Sequence, residues 1–278
     1  MRELFRIGHF SINIFGVMIA IGIITGILIM LKEAKRKGLN EDNVFDLAIY
    51  TIIAAVIGAR LYYVIGFNFS YYLKNPLEII FVNLGGLSIQ GGLLGGIVFA
   101  VWYTKKKGIL FWETADIFAP SIAIGQAIGR IGCDIFGTPM KTIYPWGIKV
   151  GSQIVHPAQM YEMVLDLLLF TYLWRKKDRL SYKGELFIKY IIGFSINRAI
   201  VEFFRTNPVI IKPFTIAHVT SFIMIVTAII VGRIIKSKYR IEQDTENDTV
   251  KVPIYQYALI FSVGIVGVAI YYFINSNL

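Results

Sequence analysis

Eight apolar stretches of about membrane length leave this chain little choice of fold. They cover residues 12–31, 44–65, 87–103, 113–129, 159–174, 186–204, 215–234 and 255–274. A helix crosses a bilayer with ~20 mostly apolar residues. The expected fold class is therefore all-α: a polytopic helical membrane protein of about eight transmembrane helices. The first run is too long for the apolar stretch of a secretory signal and lacks a small-residue cleavage site, so it reads as a span. The segment 71–87 holds Pro76 and LEIIFVNLGG. It is too short and broken to cross, and reads as re-entrant or interfacial. Composition agrees, because 56% of the 278 residues are hydrophobic and only 17% are charged, outside the usual range of soluble domains.

The formal charge of +10 invites a nucleic-acid reading, but the basic residues cluster in short loops between apolar runs. Seventeen Lys/Arg, with Arg233 at the end of the seventh run included, fall in the first, third, fifth and seventh inter-span loops, against eight in the N-terminal segment and the even-numbered loops. An excess of Lys/Arg marks the cytoplasmic side, so the N-terminus is expected outside and loop 130–158 faces the exterior. The lone cysteine, Cys133, excludes an internal disulfide. His9, His156 and His218 are too scattered for a metal site. The chain reads as a core over 1–234, a polar cytoplasmic linker over 235–252 (including EQDTENDTVKV), and an additional C-terminal span over 253–278. That span has neither charge nor motif and is expected to stand outside the functional core. No internal repeat is evident.

Against this apolar background the ionisable residues stand out. Arg198 and Glu202 lie within the sixth run. A guanidinium at mid-bilayer costs roughly 2.5–3.5 kcal/mol on insertion scales, so such a residue is a functional candidate by default. Glu202 is one turn on and shares a helix face with Arg198, where the two can pair. Arg130 ends the fourth run in GQAIGRIG. Two arginines converging from separate spans suit an anion held at the membrane, and a phospholipid headgroup is the obvious one.

Other groups carry two readings each. The glycines of GGLSIQGGLLGG suit close helix packing, or else backbone approach to a headgroup with Ser88 and Gln90 as donors. Arg60, in GARLYYV, is an interfacial snorkelling residue or a third cationic contact. Asp134 in GRIGCDIFG is a salt-bridge partner of Arg130, a general base or a headgroup orienter. Cys133 has no neighbouring base that would make it a nucleophile. In HPAQMYE, His156 precedes a helix start at Pro157. Gln159, Tyr161 and Glu162 follow on the first turns, with Glu162 favoured there by the helix dipole or kept to hold an arginine.

Taken in order, GARLYYV, GGLSIQGGLLG, GRIG, PWG, HPAQMYE and RAIVEFFR resemble the motifs of the bacterial prolipoprotein diacylglyceryl transferases, over about residues 10–232. The resemblance implies a seven-helix family core in the bacterial plasma membrane, followed here by one more span. It also implies a reaction. A diacylglyceryl group passes from phosphatidylglycerol to the lipobox cysteine of a preprolipoprotein, a thioether forms, and glycerol phosphate leaves. The family uses no metal or organic cofactor. Arg130 matches the arginine of the family's signature loop and Arg198 its other essential arginine. Glu202 matches the glutamate of VEFFR. His156, Gln159, Tyr161 and Glu162 match an HPSQLYE-like motif.

The chain departs from the family's pattern in its polar residues. Gln90 stands where the family usually has histidine. Phe15 and Phe194 stand where it has tyrosines, and His218 where it has glutamine. GRIGCDIFG replaces GRIGNFxNGE, so that Cys133 takes the place of asparagine and the family's glutamate falls on Asp134 or Thr138. Both arginines persist. The substrate-binding set implied is Arg60, Ser88, His156, Gln159, Tyr161, Glu162, Glu202 and His218, beside a catalytic set of Arg130, Arg198, Asp134 and Gln90. Asp134 or His218 is the candidate base. The other readings are a paralogue with another acceptor or lipid, a non-catalytic lipid binder, and a lipid or anion transporter.

Overall fold

A computed structural model describes residues 3–7, 10–81, 85–241 and 253–275. Arg2, His9, part of LEIIFVNLGG, most of the acidic linker and the last three residues lie outside the described residues. The chain divides into two compact units, 1–30 with 115–278, and 31–114.

Each of the eight apolar runs is helical. In chain order the helices are α1 (Ile14–Arg36), α2 (Glu41–Phe67), the short α3 (Phe69–Lys74), α4 (Ile89–Lys107), α5 (Phe111–Ile131), α6 (Ala158–Lys176), α7 (Glu185–Glu202), α8 (Ile216–Lys238) and α9 (Ile254–Asn275). Four of them, α1, α2, α8 and α9, combine the length and apolar composition needed to cross a membrane. The chain is thus a mostly helical protein with several membrane-type helices. Among the described residues, three antiparallel hairpins, which the sequence did not announce, punctuate the helices. They are β1–β2 (Glu3–Ile7, Phe10–Asn13), β3–β4 (Ile148–Val150, Gln153–Val155) and β5–β6 (Val209–Ile211, Phe214–Thr215). The expected broken segment after α2 is α3 followed by a 3-10 turn at Pro76–Ile80, neither of which buries a residue.

In the unit 31–114, glycines let α2 and α4 meet backbone to backbone. A Cβ on Gly58 would lie 2.5 Å from the Gly91 carbonyl oxygen and 3.0 Å from Gly95 Cα. The packing reading of the glycine-rich motif therefore holds at Gly91 and Gly95. Small residues are what bring helices this close without a clash. The helix α4 ends as its sequence dictates, with Lys105, Lys106 and Lys107 in the last turn and Gly108 at φ +66° closing it.

In the other unit, α5, α6, α7 and α9 surround a core that includes Ala123, Ala127, Met163, Leu167, Phe170 and Leu173. Asp116 of α5 anchors α7. Its carboxylate accepts the Gly184 N–H at 2.7 Å and the Phe187 N–H at 3.0 Å, so two orphan amides at the helix start are satisfied by a group that the N-terminal dipole favours. Loops assigned by charge to one side meet each other. Lys183 N–H donates to the Tyr239 carbonyl at 3.0 Å and Ile241 N–H to Ser181 at 2.9 Å. At the opposite ends of these helices, Thr138 N–H donates to Phe204 at 2.8 Å.

Candidate active site

The buried carboxylates of Glu162 and Glu202 collect three arginines. Glu162, the fifth residue of α6 and so beyond its first turn, is 1% exposed. Its Oε1 lies 2.7 Å from Arg130 Nη2 at the end of α5, and its Oε2 lies 3.8 Å from Arg205 Nη1 just past α7. Glu202, the last residue of α7, pairs with Arg198 at 3.0 Å through Oε2. Its Oε1 accepts the Thr215 hydroxyl at 2.7 Å and the Asn207 amide at 2.8 Å. A buried carboxylate is tolerable only when it is paired and hydrogen-bonded in this way.

Arg205 ties the two pairs together electrostatically. Burial, and then the positive charge of Arg198, pull its guanidinium below the usual arginine range; Glu162 pushes back, Arg130 lowers it further, and Glu202 opposes. Over these five side chains, three guanidiniums meet two carboxylates, so one positive charge is left over. The arginine forks match phosphate oxygens in planar, bidentate fashion.

The sequence anticipated much of this. Glu202 does pair with Arg198, and Glu162 does hold an arginine. Arg205 was passed over, although its position is readable: Arg198, Glu202 and Arg205 follow an i, i+4, i+7 pattern, which is one helix face carried across two turns. Thr215 and Asn207 carry no such signal, because one reaches Glu202 from the far strand of the next hairpin and the other from the turn before it.

The loop after Arg130 is sewn to the same neighbourhood. Gly137 N–H donates to the His156 carbonyl at 2.9 Å, and His156 N–H to Thr138 at 3.0 Å. A Cβ on Gly137 would lie 2.7 Å from the His156 carbonyl oxygen and clash with that of Phe204, so the strap has room only for glycine. The His156 Nδ1 is 3.2 Å from the Tyr161 hydroxyl, which also accepts the Trp146 indole N–H at 2.9 Å. Phe204 packs on both rings at 5.1 Å. Asp134 is half-buried between Arg130 and the strap, and Cys133 is buried.

His218 is occupied differently from what a base requires. Its Nδ1 accepts the Thr215 backbone N–H at 3.1 Å, capping α8. That nitrogen therefore carries no proton in this bond, and the neutral ring holds its proton on Nε2, which is buried without a hydrogen-bond partner. The ring lies 4.5 Å from Phe203 and 5.5 Å from Phe214. In this arrangement His218 fixes the start of α8 and is not free to accept a proton through Nδ1. Asp166, which the sequence reading left out, is fully buried one turn beyond Glu162 and accepts the Asn197 amide at 3.1 Å.

Ser88, Gln90 and Arg60 belong to the unit 31–114. Ser88 is buried and donates to Gln90 Oε1 at 2.7 Å, while Gln90 itself is exposed. Arg60 is 5% exposed and spends its guanidinium on backbone. Nε donates to Ile79, Nη1 to Gly85 and Gly86, and Nη2 to Glu78 and Phe81, at 2.6–3.3 Å. All five N–H groups of the fork have carbonyl acceptors. In this arrangement Arg60 ties the carbonyls of residues 78, 79, 81, 85 and 86 to α2.

The fold and this charge cluster define a class: a helical protein with membrane-type spans and a partly buried cluster of arginines and carboxylates. The sequence profile described as prolipoprotein diacylglyceryl transferase matches residues 2–234. A phosphatidylglycerol–prolipoprotein diacylglyceryl transferase from Clostridioides difficile is 40% identical over 231 residues, covering 82% of this chain and 93% of the relative. Those from Finegoldia magna and Bacillus cereus are 36% and 34% identical, covering 86% and 82% of this chain and 96% and 90% of their own lengths. The chain belongs to the prolipoprotein diacylglyceryl transferase family.

Proposed function

We propose that this protein transfers the diacylglyceryl group of phosphatidylglycerol to the lipobox cysteine of preprolipoproteins. The observation that carries this reading is the convergence of Arg130, Arg198 and Arg205 on two buried carboxylates with one positive charge to spare. Phosphatidylglycerol presents a phosphodiester, whose oxygens guanidinium forks bind in planar, bidentate fashion. During transfer the S–H proton is released, a C–S bond forms at the glyceryl carbon, and the C–O bond to phosphate breaks. Glycerol phosphate leaves with the electron pair. Charge grows on the departing phosphate, and fixed guanidiniums in a poorly hydrated site stabilise it without reorganising.

In this reading Arg130, Arg198 and Arg205 hold the phosphate. Glu162 and Glu202 orient them, and His156 and Tyr161 line the loop side. Asp134 is the base for the thiol, because it is the carboxylate nearest Arg130 in the signature loop and His218 Nδ1 is engaged. Ser88 and Gln90 enter from the sequence resemblance alone. Eight spans follow from the apolar runs and a bacterial plasma-membrane location from the family, while the distribution of Lys and Arg puts the N-terminus outside and the site at the outer leaflet. No metal or organic cofactor is required by this chemistry.

The test is a reconstituted assay with labelled phosphatidylglycerol and a lipobox peptide. A diacylglyceryl thioether on the peptide is the expected product. A peptide left unmodified by the folded protein would refute the proposal.

A further inference from the structure

The helix α9 lies beyond the family match, which ends at residue 234, and its sequence suggests a passive anchor. Its contacts do not fit that role. Tyr271 is completely buried, and its hydroxyl donates to Gln159 Oε1 at 3.1 Å. Tyr272 donates to the Trp146 carbonyl at 2.7 Å, and the Trp174 indole donates to Gln256 at 2.7 Å. Gly267 brings α9 against Met163, where a Cβ would lie 3.1 Å from the sulfur. The helix thus covers the α6 face that carries Gln159 and, one turn on, Glu162.

Gln159 is 2% exposed, and its Nε2 has no hydrogen-bond partner. A carboxamide has one acceptor end and one donor end. Because Oε1 is held by the Tyr271 hydroxyl, the end left over is the NH2 group. A buried amide donor without an acceptor is costly, and it becomes favourable once an oxygen is supplied. We propose that Tyr271 of α9 is a positioning residue of the substrate site. It fixes the Gln159 carboxamide with the NH2 group presented to a phosphate or ester oxygen of the bound phospholipid. This rests on the transferase reading above, and makes the C-terminal helix part of the site in this chain.

The experiment uses the full-length protein in nanodiscs with phosphatidylglycerol and a lipobox peptide. For Tyr271→Phe, which keeps the ring and loses the donor, KM for phosphatidylglycerol is expected to rise about fivefold with kcat little changed, the worth of one neutral hydrogen bond. Gln159→Leu should cost more, and the double variant Tyr271→Phe/Gln159→Leu should be no worse than Gln159→Leu alone, because the tyrosine acts only through the amide. A merely structural role for Tyr271 gives additive losses instead. Additivity, or an unchanged KM in Tyr271→Phe, overturns the proposal. If the unsubstituted protein transfers nothing, the transferase reading fails by itself. Direct titration of phosphatidylglycerol then decides this proposal: weaker binding by Tyr271→Phe supports it, and equal binding overturns it.

Discussion

Arg60 and Arg198 both sit in apolar helices, and each would draw attention for the same reason. Their surroundings differ in kind. Arg60 is enclosed by five backbone carbonyls, which are neutral acceptors that use up every N–H of the fork. Arg198 faces one carboxylate and keeps company with Arg130 and Arg205, in a group with more positive than negative charge. The first arrangement is complete and binds a loop. The second leaves guanidinium donors over, and under the proposed function the lipid phosphate takes them. Donor count against acceptor count separates a structural arginine from a ligand-binding one.

Substitutions can break this contrast. The largest effect is expected for Arg198→Ala or Arg130→Ala. Transfer should fall by at least the roughly 10²–10³-fold seen when one donor to a developing oxyanion is removed, a loss of rate larger than the accompanying fall in unfolding midpoint caused by leaving Glu202 or Glu162 buried without its partner. Full activity in Arg198→Ala would remove the anion site from the mechanism. Arg60→Ala should do the reverse. The carbonyls of residues 78, 79, 81, 85 and 86 lose the charged donor they share, at a cost of about 1.5–3 kcal/mol, that of a hydrogen bond to a charged group, read as a lower unfolding midpoint. Arg60→Lys should recover only part of it, since three donors cannot serve five acceptors. An unshifted midpoint in Arg60→Ala would show that the carbonyl cage is not structural.

A smaller effect is expected for Arg205→Lys. The charge stays and the fork is lost, so KM for phosphatidylglycerol should rise by about tenfold, in line with one charge-assisted hydrogen bond of ~1.5 kcal/mol. An unchanged KM would reduce the phosphate contacts to two. The smallest effect is expected for Gln90→His, which restores the residue usual in the family and should preserve or raise the rate. Complete loss of activity would mean that the neighbourhood of Gln90 has been rebuilt around an amide.

How much of this was legible beforehand depended on the range of the interaction. Every apolar run became a helix, since apolar length is a local property of the sequence. The pair Arg198–Glu202 was also legible, because four residues on a helix fix a neighbour. Arg205 could have been read from the same spacing. Arg130 with Glu162 could be suspected from their types but not paired, being 32 residues apart in sequence. The cage around Arg60 comes from residues 18 to 26 positions away in a segment with no buried helix face, and no periodicity signals it.

The sequence by itself determined that this is a helical chain with membrane-type spans, and that it keeps arginines where charge is expensive. Its motifs placed it among the diacylglyceryl transferases. Tertiary structure alone decided which arginines are spent and which have charge to spare, that His218 caps a helix, and that α9 reaches Gln159 across 112 residues of sequence. The reason is physical. Hydrophobic burial follows from the composition of each segment, whereas a buried donor or charge is defined by the partner that the fold brings to it.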